Sequence, residues 1–187
     1  MSIPSVLVET LVPSSEEFQK KYEIIKDELL EVLITGYGKK AYPKSLHDFR
    51  IRNEEQYLFL LREVESERIL GCSYVRRDGK RGATAVLPEM SGNGFGRLLV
   101  QESLKKVECQ YGEISINNEK QLNLLKTCGF RGVHEIGKVY QLLGELRPLI
   151  LSWRIVNGSI NYIRKSRDNP NIVHRFVLMS SLGSDDL

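Results

Sequence analysis

Residues 86 to 96 read VLPEMSGNGFG, three glycines and a proline with a single charged residue, set between a strand-like run (GATAV) and a run with helical spacing (RLLVQESLKK). A helix start leaves backbone N–H groups without partners and carries a partial positive charge, and glycines there let an anion reach the backbone without side-chain collision. Gly92, Gly94 and Gly96 alternate across the junction and offer a cradle for a pyrophosphate; a tight turn with no ligand uses the same residues. Two other nucleotide patterns can be tested in place. A Walker loop requires Lys and Ser or Thr after its last glycine, where this chain has Arg97 and Leu98. A dinucleotide fingerprint opens the first crossover of a parallel sheet, whereas this junction follows what reads as a meander.

The meander is legible on both sides. Ser5 to Leu11 is rich in β-branched residues and reads as a strand ending near Pro13. Ser14 and Ser15 before Glu16 and Glu17 suit an N-terminal cap, and Phe18, Tyr22, Ile25, Leu29 and Leu33 recur at three and four, which predicts an amphipathic helix closed near Gly36. A short helix is expected around Ser45 to Ile51. QYLFLLREVE and ILGCSYVRR form a hairpin turning at Ser66 and Glu67, and Asp78-Gly79 turns the chain into the strand GATAVLP. A helix then runs from Arg97 to Val107, a strand covers GEISINN, and a second helix spans Glu119 to Thr127 before Gly129. The helix between GATAVLP and GEISINN predicts a parallel step between those strands.

The length of 187 residues and the 41% of hydrophobic residues suit one enzyme-sized domain. Basic and acidic residues nearly cancel, leaving +3, so bulk charge argues for neither nucleic acid nor an anionic membrane. No apolar run approaches the roughly 20 residues of a membrane span and the N-terminus lacks a secretory pattern, so a soluble, cytoplasmic protein is expected. Cys72, Cys109 and Cys128 show no zinc spacing and no pairing motif; reduced, buried thiols and no metal are expected.

With these residues in view, the chain resembles the GNAT superfamily of acyl-CoA-dependent N-acyltransferases. Val86, Pro88, Gly92, Gly94 and Gly96 fall in register on the family's V-x-P-x-x-(R/Q)-G-x-G-x-(G/A), and Asn118, Gly129 and Phe130 of NEKQLNLLKTCGF on a second signature. The resemblance covers about Val6 to Phe130 and implies an α/β (α+β) fold: a mixed, mostly antiparallel central sheet flanked by helices. It implies acetyl-CoA as co-substrate. Ala85, Val86 and Leu87 are assigned to the pantetheine and thioester, with a backbone N–H at or near Val86 as oxyanion donor. Ser91, Gly92, Asn93, Gly94, Phe95, Gly96 and Arg97 are assigned to the pyrophosphate, and Asn118, which can equally cap a helix, to the pantetheine arm. Two departures stand out. Ser91 replaces the usual Arg or Gln, and Leu125 takes the place of a tyrosine that protonates the departing thiolate in many members.

The general base carries no signature: Glu63, Tyr74, Glu113 and Ser115 lie on strands that can face the cofactor, and Cys128 has no paired histidine to make it a nucleophile. After the second signature the chain continues. KVYQLLG and HRFVLMSS read as strands, and Asn157-Gly158 marks a hairpin between them. The expected single domain therefore has a core of about 5–144, an inserted hairpin at about 145–170 and a final strand at about 174–181. Residues 145 to 175 hold six basic residues against two acidic ones, with Trp153 and Tyr162 among them; acceptor selection or a homodimer contact is the favoured role, and a nucleic-acid patch the weaker one. The functional expectation is transfer of an acetyl group from acetyl-CoA to an amine of a small molecule or protein, the alternative a regulator that binds acyl-CoA without transferring it.

Overall fold

The computed structural model describes residues 3–12, 15–37, 56–133, 150–156, 158–165, 171 and 173–182. The chain forms two compact units, Met1–Glu108 and Cys109–Leu187. The expected helix at 45–51 and the expected strand KVYQLLG lie outside the described residues.

The first unit is built on an antiparallel meander in the order β1-β2-β3-β4, with β1 Val6–Leu11, β2 Gln56–Glu63, β3 Ile69–Arg76 and β4 Arg81–Val86. Helix α1, Glu16–Tyr37, starts where the side-chain oxygen of Ser15 accepts the N–H of Phe18 at 3.0 Å, so the cap falls on the second of the two candidate serines. Phe18, Tyr22, Ile25, Leu29 and Leu33, the stripe legible in the sequence, are all buried. At about 1.5–3 kcal/mol for each buried side chain of this size, that face outweighs any propensity term in fixing the helix. The β2–β3 turn holds Glu67 at φ +57°, and the β3–β4 turn holds Gly79 at φ +84°.

Two close approaches show how the meander is covered. A Cβ built on Gly36, near the end of α1, would lie 2.9 Å from the Cβ of Ala85, and one built on Gly71 would lie 3.3 Å from Cδ1 of Leu99 on helix α2, Phe95–Lys106. Gly71 stands opposite Val86 and Cys72 opposite Ala85, so the two contacts fall on opposite faces of the strands. The four-stranded sheet is therefore a layer between α1 and α2, which explains why β3 is buried along nearly its whole length.

The second unit contains β5 Tyr111–Ser115, α3 Glu119–Thr127, β6 Arg131–Gly132, β7 Ile150–Val156, β8 Ser159–Lys165 and β9 Val173–Ser180. Its strand order is β5-β9-β8-β7, and β6 pairs with β9 beyond the end of β8. The predicted hairpin forms: Val156 pairs with Ser159, and Gly158 at φ +72° turns the chain. Its second strand lies between β7 and β9, so the hairpin is part of the sheet. Tyr162 and Phe176 stack across β8 and β9 with centroids 5.6 Å apart.

One expectation is corrected. The ladders among the described residues are antiparallel, and β4 and β5 belong to different sheets rather than forming a parallel step. A crossover helix permits parallel pairing without enforcing it, and β5 satisfies its backbone against β9 instead.

Candidate active site

The junction between β4 and α2 is one continuous path of strand, turn and helix. Leu87 N–H donates to Leu70 O at 2.9 Å, making Leu70 and Leu87 a hydrogen-bonded pair. Antiparallel ladders alternate such pairs with non-hydrogen-bonded ones, so Cys72 with Ala85 is the next, and Gly71 with Val86 lies between them. The N–H and C=O of Val86 therefore point away from β3. Because β4 ends the strand order, that direction is the sheet edge. Ala85 and Leu87 are buried, and Leu87 is engaged at both backbone groups, its carbonyl accepting the N–H of Met90 at 2.9 Å. Of the three residues assigned to the thioester end, Val86 is the one with outward-facing backbone groups.

Pro88–Met90 form a 3-10 turn, and the exposed residues 91–94 follow. The side chain of Asn93 donates to Met90 O at 3.2 Å and draws the loop closed. Gly92 and Gly94 sit at φ +88° and +82°, and no heavy atom lies within 4 Å of a Cβ built at either. The glycines are thus required by backbone conformation and leave open space where side chains would stand. Helix α2 begins at Phe95, two residues earlier than the sequence pattern indicates, because Gly94 itself adopts the left-handed N-cap. No side chain caps it and no acidic residue stands in its first turn. Leu98 N–H is the first to bond within the helix, to Gly94 O at 3.0 Å, which leaves the amides of Phe95, Gly96 and Arg97 at the open end. Phe95 buries its ring, while Ser91 and Arg97 are exposed.

A family model described as the acetyltransferase (GNAT) family matches residues 22–130, more than half of the chain. The chain belongs to the GNAT acetyltransferase family. Among curated proteins there is no match. Solved structures share the fold at low identity. The IAA acetyltransferase from Bacillus cereus has a TM-score of 0.53 at 17% identity, covering 94% of this chain and 98% of its own. The ribosomal-protein-S18-alanine N-acetyltransferase from Escherichia coli has a TM-score of 0.55 at 15% identity, covering 98% and 99%. An acetyltransferase from Bacillus subtilis in complex with CoA has a TM-score of 0.53 at 15% identity, covering 94% and 97%.

In this GNAT acetyltransferase the remaining assigned residues lie in the second unit. Asn118 caps α3, its Oδ1 accepting the N–H of Gln121 at 3.1 Å, so the capping role is occupied. Leu125 is fully buried, with its carbonyl accepting from Cys128 and Phe130. Gly129, at φ +90°, ends the helix as its signature suggests.

The four candidate bases are scattered. Glu63 accepts a hydrogen bond from Ser66 at the β2–β3 turn, and β3 separates its strand from β4. The ring of Tyr74 covers Gly82, leaving no room for a Cβ there, at the opposite end of β4 from Val86. Glu113 and Ser115 lie on β5, the latter accepting from Asn117 N–H at 3.4 Å. The cysteines divide: Cys72 is buried as expected, and burial pushes its thiol up to about 12, whereas Cys109 is exposed and Cys128 half-buried. The expectation of three buried thiols fails at Cys109 because it lies in the bend between α2 and β5, and at Cys128 because it closes α3. Among the described residues no group of three or more His, Cys, Asp or Glu could hold a metal, and no helix is long and apolar enough to cross a membrane.

One polar cluster has no counterpart in the sequence reading. Arg81, buried at the start of β4, donates to Ser103 on α2 at 3.0 Å, to Ser73 on β3 at 3.1 Å and to Thr84 at 2.9 Å. It ties the glycine-bearing helix to the two strands beneath it. Scattered hydroxyls in apolar runs give no advance sign of such a knot, since their common face depends on strand register.

Proposed function

We propose that this acetyltransferase moves an acetyl group from acetyl-CoA to an amine of a small molecule or a protein, by direct attack within a ternary complex. The observation that supports the reading is the outward-facing Val86 amide on the same continuous segment as the uncapped α2 amides. The first can donate to a thioester oxygen, and the second can hold a diphosphate. The pantetheine arm then lies along the outer edge of β4, hydrogen-bonded as an added strand would be. The amine nitrogen attacks the thioester carbon, and the carbonyl electron pair moves onto oxygen, where Val86 N–H receives it. Collapse breaks the C–S bond, CoA leaves as thiolate, and the amine's proton passes to a base or to water.

Buried Leu125 supplies no proton to that thiolate. A free thiol has a pKa of about 8.5, so the leaving group departs as an anion at modest cost and is protonated by solvent. The rate is expected to rise with pH and level off, without the falling alkaline limb that an essential acid produces. The test is free-thiol release from acetyl-CoA across a panel of amines. Turnover on one amine supports the transferase reading; tight acetyl-CoA binding with no turnover on any would instead support the regulator, the reading that Leu125 favours. The paired control is Gly94→Glu, which places a side chain and a negative charge at the cradle and is expected to abolish CoA binding in calorimetry.

A further inference from the structure

A backbone N–H has no rotamer, so the direction of the Val86 amide is set by the strand around it. Val86 lies between two fixed points on β4. On one side Leu87 N–H donates to Leu70 O at 2.9 Å. On the other, Ala85 meets the end of α1, where a Cβ built on Gly36 would lie 2.9 Å from the Cβ of Ala85. The strand that receives Leu87 is irregular at that place. Leu61 of β2 pairs with Gly71, but the next residue, Arg62, pairs with Ile69, so Leu70 is the extra residue of a β-bulge in β3. The carbonyl that fixes Leu87 therefore belongs to the bulged residue.

A bulge disrupts its ladder locally, and its buried backbone groups still require partners. Ile69 is fully buried, and its N–H donates at 2.6 Å to Oε1 of Glu28, a half-buried residue of α1. An ionised carboxylate is a stronger acceptor than a neutral carbonyl, so the contact ties α1 firmly to the bulge. Beside it β3 and β4 approach closely: a Cβ built on Gly71 would lie 2.9 Å from Ala85 O. At that packing a shift of the bulge is transmitted to β4.

We propose that Glu28 is a positioning residue for acyl transfer: it holds the Leu70 bulge, the bulge holds Leu87, and Leu87 sets the direction of the Val86 N–H. The inference rests on the acyl-CoA reading above. Glu28 works as a hydrogen-bond acceptor, and neither its charge nor a proton enters the reaction.

The test compares wild type, Glu28→Gln and Glu28→Ala, each assayed well below its own melting midpoint. Glutamine keeps the Oε1 acceptor and alanine removes it; should Glu28→Ala not fold, Glu28→Met, similar in length and without the acceptor, takes its place. Glu28→Ala is expected to lower kcat about ten-fold, a misplaced donor being costly, while acetyl-CoA affinity in calorimetry stays within about two-fold. Glu28→Gln is expected to recover most of the loss. The Val86 amide gives a spectroscopic reading: in proton–nitrogen spectra acetyl-CoA should move its resonance downfield in wild type and Glu28→Gln, and clearly less in Glu28→Ala. An equal kcat loss in both variants overturns the proposal, because glutamine retains the acceptor and lacks only the charge and the proton. A parallel loss of kcat and acetyl-CoA affinity in Glu28→Ala overturns it too, as the mark of a loosened fold. So does a Glu28→Ala protein with wild-type kcat and a wild-type Val86 shift, an outcome that leaves the acyl-CoA reading standing. If wild type binds acetyl-CoA but turns over no amine, the resonance decides alone: a smaller Val86 shift in Glu28→Ala supports the role and an equal one overturns it. A wild-type protein that binds no acetyl-CoA removes both.

Discussion

Val86 can be tested where most oxyanion donors cannot, because a backbone N–H is removed by proline and this one points away from the ladder. Proline is tolerated on an edge strand when its nitrogen faces outward, so Val86→Pro should fold, with some loss of the packing that Val86 makes on Gly71. Losing one such donor typically costs about 100- to 1000-fold in kcat. The expected result is a kcat fall of about that size with acetyl-CoA affinity largely kept, measured by steady-state kinetics beside calorimetry. Gly94 gives a complementary result. Its φ of +82° with open space around a built Cβ makes the penalty for Ala conformational rather than steric, about 1–2 kcal/mol, and Asn should cost less because it tolerates the left-handed region. Thermal melts should therefore rank glycine above asparagine above alanine. The thiols follow burial: with Cys72 raised to about 12, a thiol reagent at pH 8 should label Cys109 quickly, Cys128 more slowly and Cys72 only after unfolding. At this scale the glycine turn into α2 was legible in the sequence, since Gly92 and Gly94 both adopt the left-handed conformation that glycine tolerates best. The direction of Val86 N–H was not, because it depends on which pairs of the ladder are hydrogen-bonded.

Elements were legible wherever a periodic apolar pattern met a turn residue. Helix α1 with its Ser15 cap, the hairpins at Glu67, Gly79 and Gly158, and α3 ending before Gly129 all formed near their expected places. Pairing of distant strands was not legible. The separation of β4 from β5, and the insertion of β8 between β7 and β9, are decided by which edges can satisfy each other, and local sequence does not record that. The two short helices of similar length also differ in a way with consequences. α3 has one of its N-terminal amides, that of Gln121, answered by the Asn118 side chain, whereas α2 has no side-chain cap. Asn118→Ala should cost about 1 kcal/mol, read as a melting midpoint about 2–4 °C lower, whereas α2 has no side-chain cap to lose. Were the midpoint unchanged, the hydrogen bond to Gln121 would not be holding the helix end.

For the molecule as a whole, the near-balance of charge means that pH acts on stability through a few placed pairs rather than through net repulsion. Most ion pairs here are exposed and contribute little. The exception is Glu9 on β1, which receives Lys21 from α1 and Arg62 from β2, the latter at 2.7 Å, and so joins three elements of the first unit. Burial raises the pKa of Glu9, but the hydrogen bonds and charges of Lys21 and Arg62 outweigh it, and its carboxyl is held below the ordinary value of 4.5. Hydrogen bonds from Glu9 and Glu17 hold the ammonium of Lys21 above its ordinary 10.5. A depressed carboxyl contributes stability that is complete above its unfolded pKa and is lost as pH falls through the lower folded value. A raised ammonium contributes stability that is complete below its unfolded pKa and disappears as pH rises through the higher folded one. The knot should therefore hold at full strength from about pH 5 to 10 and weaken on both sides, solvent around its half-buried partners limiting each pair to about 1 kcal/mol. Glu9→Gln removes the shared carboxylate and should lower stability across that plateau while flattening the acid limb. Denaturant unfolding of both proteins at pH 3, 7 and 10 would show it. If the two curves stay parallel down to pH 3, the acid sensitivity of the fold originates elsewhere than at Glu9.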